Sequence, residues 1–183
     1  RDEAADSLAD DVLDAFADSL KGLVNERGGI FRAGTGSAMY YIWHAKELSY
    51  TCDGHEPGEP FPANFSPSLL LRDAGPLSVI QAFARPEVGR CMNGGPLTLE
   101  LHDSVFKRED GLTKVAQLVR SFIQLGGHQL QLNSVNVDQL RDAQIHPENY
   151  ANLIVRVWGW SGRFVLLDRA YQEQIIARTS YSV

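Results

Sequence analysis

The stretch "IVRVWGWSGRF", Ile154 to Phe164, reads as a strand built to be buried, yet Gly159 and Gly162 both sit inside it. A glycine within a strand packs nothing and costs conformational entropy, so it usually marks a bulge, a bend or a close backbone approach. On geometry alone that is the reading of Gly159, which stands between Trp158 and Trp160.

Working outward, "DRAYQEQIIART" follows as a terminal helix with Asp168 as its N-cap. Upstream, "HQLQLNSV" alternates with period two, and Asn136 with Gln139 forms a capping box for a short helix ending before Pro147. Before that, "PLTLELH" alternates Leu97, Leu99 and Leu101 with Thr98, Glu100 and His102, the pattern of a half-buried strand. It leads into "GLTKVAQLVRSFIQLGG", a helix with Leu112, Val115, Val119, Phe122 and Ile123 on one side and a glycine pair at its end. "LSVIQAFAR" is a short helix opened by Gly75-Pro76.

The N-terminal part differs in texture. From Ala5 to Glu26 apolar residues recur at Leu8, Val12, Phe16, Leu20 and Leu23, one amphipathic helix stopped by Gly28-Gly29. Loops follow, "RAGTGS" and then "CDGHEPGEPFPANFSPS", where four prolines and two glycines after Asp53 forbid regular structure. A loop of that length in a compact domain is usually functional or a conduit between layers. Strand alternating with helix predicts an α/β fold with largely parallel strands. Three or so strands suit a piece of a larger barrel better than a closed one.

At 183 residues and 44% hydrophobic the chain can bury one sizeable core. Its 17 basic and 23 acidic side chains give a formal net charge of −6 with no basic run, which disfavours nucleic acid and anionic membrane as partners. No membrane span or secretion signal is visible, so the expected compartment is the cytoplasm, where Cys52 and Cys91 would be free thiols. Arg1 with no preceding methionine suggests that the chain begins inside a longer protein.

Other motifs carry little chemistry. "GWSG" at Gly159 to Gly162 misses the Gly-x-Ser-x-Gly elbow by one residue, so Ser161 is structural. Cys52 and His55 have a zinc-like gap but no second pair, and no metal site is expected. "GTGS" around Thr35 lacks a Walker lysine and reads as a flexible turn. His128 is an exposed or hydrogen-bonded histidine rather than a catalytic one.

"RVWGWSGRF" resembles the glycyl radical fingerprint of the pyruvate formate-lyase and diol dehydratase superfamily. "GGHQLQLN" (Gly126 to Asn133), "LRDAQIHPENYANLIVRV" (Leu140 to Val157) and "YQEQIIART" (Tyr171 to Thr179) resemble that family's C-terminal region in the same order. "CDGHEPGEPFPANFSPS" (Cys52 to Ser68) resembles its Asp-Gly-Arg-x-x-Gly-Glu-Pro loop, with His55 in place of the arginine. The resemblance implies the C-terminal part of a ten-stranded β/α barrel. Residues 1–75 would be a helix and loop of the barrel side, and residues 76–183 the radical domain, with its loop aimed at the barrel centre.

Gly159 would then be the radical carrier. A radical at a backbone α-carbon is stabilised when that carbon is planar and conjugated with both flanking amides, and a β-carbon would crowd that plane. Arg156, Trp158, Trp160 and Ser161 would be its neighbours, the tryptophans shielding it from water and oxygen. Gln129 and Asn133, on one strand face, would line the barrel interior, with hydrogen bonding inside the strand layer as the plainer role.

The same resemblance implies no bound cofactor. An activating enzyme of the radical S-adenosylmethionine type, carrying an iron–sulfur cluster, would install the radical under anaerobic conditions. The other partners are the remainder of the enzyme chain and a second copy in a homodimer. The thiyl-forming cysteine would lie outside this chain, since neither Cys52 nor Cys91 occupies its motif. Trp160, Ser161 and Gly162, where relatives usually show tyrosine and alanine after the glycine, and "NGGPLTLELHDSVF" (Asn93 to Phe106), which departs from their usual segment, resemble more the arylacetate decarboxylases, then the alkyl- and arylsuccinate synthases that add a hydrocarbon to fumarate. An autonomous repair subunit for an oxygen-damaged lyase and a truncated, non-catalytic remnant are the alternatives.

Overall fold

The computed structural model describes residues 2–37, 40–71, 75–157, 159–178 and 180–181, with backbone alone for residues 135, 180 and 181. Its centre is β1 (Leu97–His102), which pairs in parallel with β2 (Leu130–Val135) on one side and β5 (Ser180–Tyr181) on the other, giving the order β2-β1-β5. The helix α4 (Gly111–Gln124) connects β1 to β2, the crossover that a parallel pair requires. The expected parallel α/β arrangement is therefore present.

Being central, β1 is buried along nearly its whole length, so the half-buried expectation was too modest: Thr98 and Glu100 are as enclosed as the leucines between them. One face carries Leu97, Leu99 and Leu101 into a core with Val79, Ile80 and Phe83 of α3 (Pro76–Phe83) and with Leu118 and Phe122 of α4. The helix α3 starts at Pro76 with Gly75 as N-cap, as the proline's fixed φ favours. The other face carries Thr98 and Glu100 toward the C-terminal elements.

Those elements build a second core. Leu140 and Ala143 of α5 (Val137–Ile145), Val155, Val157, Phe164, and Ile175 and Ile176 of α6 (Arg169–Ala177) pack with Tyr41, Ile42 and Ala63. Tyr41 and Ile42 lie on α2 (Tyr40–Trp43), a single turn inside the long loop region. Asn136 caps α5 by accepting the Gln139 N–H at 3.1 Å, whereas Asp168 holds the N-cap position of α6 with no side-chain cap bond. The Cys52–Ser68 segment is turns and bends throughout, as its prolines and glycines demand.

Three expectations change. The N-terminal helix α1 runs Glu3–Leu20 and stops ahead of Gly22, whose φ of +80° turns the chain back into a Val24–Ile30 bridge. Asp10, Asp14 and Asp18 of α1 pair with Arg85 and Arg90 while Leu8, Val12 and Phe16 are left exposed. On α4 the buried residues are Gly111, Leu118 and Phe122; Leu112 and Ile123 face outward, because the helix meets β1 and α3 along a narrower stripe than the periodicity suggested. "IVRVWGWSGRF" is not one strand: β3 (Ile154–Arg156) and β4 (Ser161–Arg163) pair antiparallel, Val155 opposite Gly162, around a turn. Among the described residues no helix is long and apolar enough to cross a membrane.

The two sides of α4 yield a direct check. Phe122→Ala is expected to lower the unfolding free energy of this chain by about 3–5 kcal/mol, and Leu112→Ala by less than about 0.5 kcal/mol; chemical denaturation followed by circular dichroism measures both.

Candidate functional site

The β3–β4 hairpin is closed by the Val157 N–H donating to the Trp160 carbonyl at 3.0 Å, with Gly159 in the turn at φ +61°. Positive φ at a hairpin tip favours glycine, since a β-carbon crowds the backbone in that region. The space itself is open: apart from its chain neighbours, a β-carbon built on Gly159 would meet no atom of the described residues within 4 Å. Gly162 is the opposite case, because its β-carbon would lie 2.7 Å from the Trp160 ring. The tryptophan ring thus folds back over its own arm, two residues on, and requires a glycine there. This answers the question raised by the two glycines: one serves the turn, the other admits the ring.

The hairpin is held from below and from the side. Val155, Val157 and Phe164 are buried in the second core, which anchors its apolar face. Arg156 donates through Nε to Gln131 Oε1 at 3.1 Å and through Nη1 to Ser161 Oγ at 3.2 Å, tying the hairpin's two arms to β2. Ser161 is therefore an acceptor for Arg156, in keeping with a structural serine. Trp160 is 42% exposed and Gly159 is open to solvent in this chain. Trp158 lies outside the described residues.

Beneath the hairpin sits a buried polar cluster. Arg178, at the C-cap of α6, donates from Nη1 to Glu100 Oε1 at 2.8 Å, from Nε to Gln174 Oε1 at 3.1 Å, and to the carbonyls of Arg156 and Val157 at 3.1 and 2.7 Å. Asn133 donates to the same Glu100 oxygen at 2.8 Å. Glu100 Oε2 and Gln174 Nε2 have no partner among the described residues, and a cavity of about 30 Å³ lined by Ser66, Thr98, Glu100, Gln174 and Arg178 lies there, room for about one water.

Asn133 accordingly takes the plainer role of bonding within the strand layer. Gln129 precedes β2, is exposed, and approaches the Gly95 N–H with its Oε1 at 3.4 Å. Between them on the same face stands Gln131, which sequence reasoning passed over although period two places it there. Arg178, Glu100 and Gln174 were also missed; "YQEQIIART" and "LTLELH" held them, but nothing in either stretch marks a buried ion pair.

The remaining candidates separate. His55 is buried, stacked on Phe61 with ring centroids 4.2 Å apart and with Nε2 2.5 Å from the Glu59 carbonyl, while Cys52 is exposed. Among the described residues no cluster of histidine, cysteine and acidic side chains could hold a metal. Thr35 is fixed rather than flexible: its N–H donates to the Gly94 carbonyl at 2.8 Å, and a β-carbon on Gly95 would lie 1.7 Å from its Oγ1. His128 is exposed and stacks on Phe83, and desolvation holds its pKa below the ordinary histidine value. Cys91 is buried, and that burial pushes its thiol up from the usual range, with Arg90 opposing.

With this geometry in hand, comparison with known proteins identifies the class. The pattern of the family described as "Glycine radical" matches residues 61–165, more than half of the chain and inclusive of the whole hairpin. The chain belongs to the glycyl radical enzyme family. It is 30% identical over 179 residues to trans-4-hydroxy-L-proline dehydratase of Clostridioides difficile, covering 97% of this chain and 22% of that protein. The glycerol-bound B12-independent glycerol dehydratase of Clostridium butyricum superposes on all of this chain with a TM-score of 0.93 at 30% identity, over 23% of its own length. A glycyl radical enzyme of Archaeoglobus fulgidus does so with a TM-score of 0.91 at 34% identity, again over 23% of its length. The α/β fold is thus that of the barrel-type glycyl radical enzymes, and the chain spans under a quarter of the length of these relatives.

Open space at Gly159 separates chemistry from packing. Gly159→Ala is expected to cost only the left-handed backbone strain, about 1–2 kcal/mol, so the variant should fold, as a thermal melt will show. Maleimide at neutral pH is expected to label Cys52 of this chain at least about tenfold faster than Cys91, because burial disfavours the reactive thiolate; mass spectrometry of the labelled peptides reads the ratio.

Proposed function

We propose that Gly159 stores a backbone radical in the full-length enzyme, and that the reaction it serves is elimination of water from a small hydroxylated substrate. The observation that carries the first part is the turn itself: a glycine at the tip of the hairpin within the family's matched span, with open space where a β-carbon would be. An activating enzyme of the radical S-adenosylmethionine type, with a reductant, would supply the one-electron chemistry that removes a hydrogen atom from the Gly159 α-carbon, and Gly159 holds the radical that results. The unpaired electron then spreads over both flanking amides.

That delocalisation needs the amides coplanar with the α-carbon, and at φ +61° they are not. The turn must flatten when the radical forms. Glycine's rotational freedom permits this, and the empty space around the site leaves it unopposed. The radical then takes a hydrogen atom from a cysteine thiol beyond this chain, and the resulting thiyl acts on substrate. Residues 76–183 are the radical-bearing part and residues 1–75 the support.

The remainder of the enzyme supplies that cysteine and the pocket, and it covers apolar side chains left open here, among them Leu8, Leu112 and Leu166. Trp160 is the shield for the radical site, and a second copy completes the homodimer.

Dehydration is favoured because the hydroxyproline and glycerol enzymes named above are dehydratases. Arylacetate decarboxylation, the reading drawn from Trp160, Ser161, Gly162 and the Asn93–Phe106 segment, finds no support among the relatives named above. Trp160 and Gly162 form a packing pair along one arm of the hairpin, so their departure from the common pattern reports a ring and the room it needs. Addition to fumarate rested on the same departures.

The test is anoxic activation of the full-length protein with an activating enzyme, S-adenosylmethionine and a reductant, followed by electron paramagnetic resonance. A doublet that disappears in Gly159→Ala is expected, with oxygen cleaving the backbone at that residue. Turnover is then assayed with glycerol, propane-1,2-diol and trans-4-hydroxyproline beside phenylacetate and indoleacetate. Carbon dioxide release from an arylacetate without any dehydration product overturns the proposed reaction.

A further inference from the structure

Arg178 makes more contacts with the hairpin's main chain than its place at the end of a helix requires. Its guanidinium bonds one element on each side: Gln174 of α6, Glu100 of β1, and two consecutive carbonyls, Arg156 and Val157, in the arm that leads to Gly159. The side chains of Arg178 and Glu100 are only 8% and 3% exposed. A buried ion pair of this kind is a poor source of stability, since desolvating both charges offsets most of their attraction. What it does supply is geometry, because a planar fork with fixed donor directions holds its acceptors at set positions.

From this arrangement we infer that Arg178, seated on Glu100, is the positioning residue for the Gly159 turn: it fixes the stem by its carbonyls so that the flattening at the radical site is confined to the turn. The inference rests on the reading of Gly159 as the radical carrier. The second core holds Val155 and Val157 by their side chains, and the β3–β4 ladder with the Val157 N–H on the Trp160 carbonyl ties the stem to its own second arm, but neither fixes the stem against the sheet beneath it. Arg156 steadies the hairpin laterally through Gln131 and Ser161, again by side chains. Among the described residues, Arg178 is the side chain from outside the hairpin that grips the backbone ahead of the turn, with Glu100 of β1 beneath it. Lysine could keep the charge opposite Glu100 but has no fork with which to hold two carbonyls and a carboxylate together.

Removing Arg178 alone leaves Glu100 a buried unpaired charge and invites unfolding. The informative variant is therefore the double substitution Glu100→Gln with Arg178→Met, which removes both charges and leaves Asn133 an acceptor. It is made in the full-length protein and activated without oxygen, with Arg178→Lys, wild type and Gly159→Ala in parallel. The readouts are spin per protein, the shape of the doublet and its half-life in anoxic buffer, beside the melting temperature.

The double variant is expected to melt near wild type and to accept the radical. Its doublet should lose resolution as the flanking planes take a range of angles, and its half-life should fall at least about tenfold, the order expected when a reacting group loses its fixed orientation. Arg178→Lys is expected to lie between, with a half-life about threefold shorter, on the same ground. That variant decides the matter if the double variant does not fold. A doublet and half-life equal to wild type in whichever of the two folds overturns the positioning role. A doublet that survives Gly159→Ala, or none in wild type with an activating enzyme proven on another substrate, overturns the reading of Gly159 and this inference with it.

Discussion

A carboxylate placed in the middle of a buried central strand is the constraint on which the C-terminal half of this chain depends. Glu100 lies on β1 between two paired strands, beneath α6 and the hairpin, where an unpaired charge would cost about 3–5 kcal/mol. The cost is met by bringing Arg178 in from the end of α6 and Asn133 across from β2. Once Arg178 is there, its remaining donors need acceptors, and the carbonyls of Arg156 and Val157 provide them. One buried charge thereby connects the parallel sheet, the last helix and the main chain that leads into the Gly159 turn.

Two kinds of fixation meet at that turn, and they differ in physics. The stem is held by burial of Val155, Val157 and Phe164 and by directed hydrogen bonds, all of which resist displacement. The tip is open: apart from its chain neighbours, Gly159 has no described atom within 4 Å of where a β-carbon would be. Such a division suits a residue that must change geometry without disturbing what surrounds it. The same division explains the two glycines, since β4 needs Gly162 to receive the Trp160 ring, whereas Gly159 serves the positive φ of the turn.

Much of the fold was legible because it is written in local patterns. Period two marked β1 and β2, Pro76 marked the start of α3, and Asn136 marked that of α5. The errors came where a pattern tells which residues are apolar but not what lies opposite. Leu112 and Ile123 share the apolar character of Phe122, yet only the last reaches β1 and α3. Leu8, Val12 and Phe16 form an apolar face on α1 that stays exposed among the described residues. In the site, Gly159, Arg156, Trp160 and Ser161 were found as neighbours because they are neighbours in sequence. Asn133 was placed near them for the right strand face, and Arg178, Glu100 and Gln131 were passed over because no spacing relates them.

By itself the sequence determined the α/β class, the run of strands and helices, and the family, since all of these rest on local propensity and on short ordered motifs. Only the tertiary structure decided that "IVRVWGWSGRF" turns back as a hairpin, that Trp160 and Gly162 are one packing unit, and that Arg178 reaches the carbonyls ahead of Gly159 from Glu100. The physical reason is range. Propensity and periodicity act over a few bonds, whereas the pairing of Glu100 with Arg178 joins positions 78 residues apart and exists only after the sheet, the helix and the hairpin have closed around it.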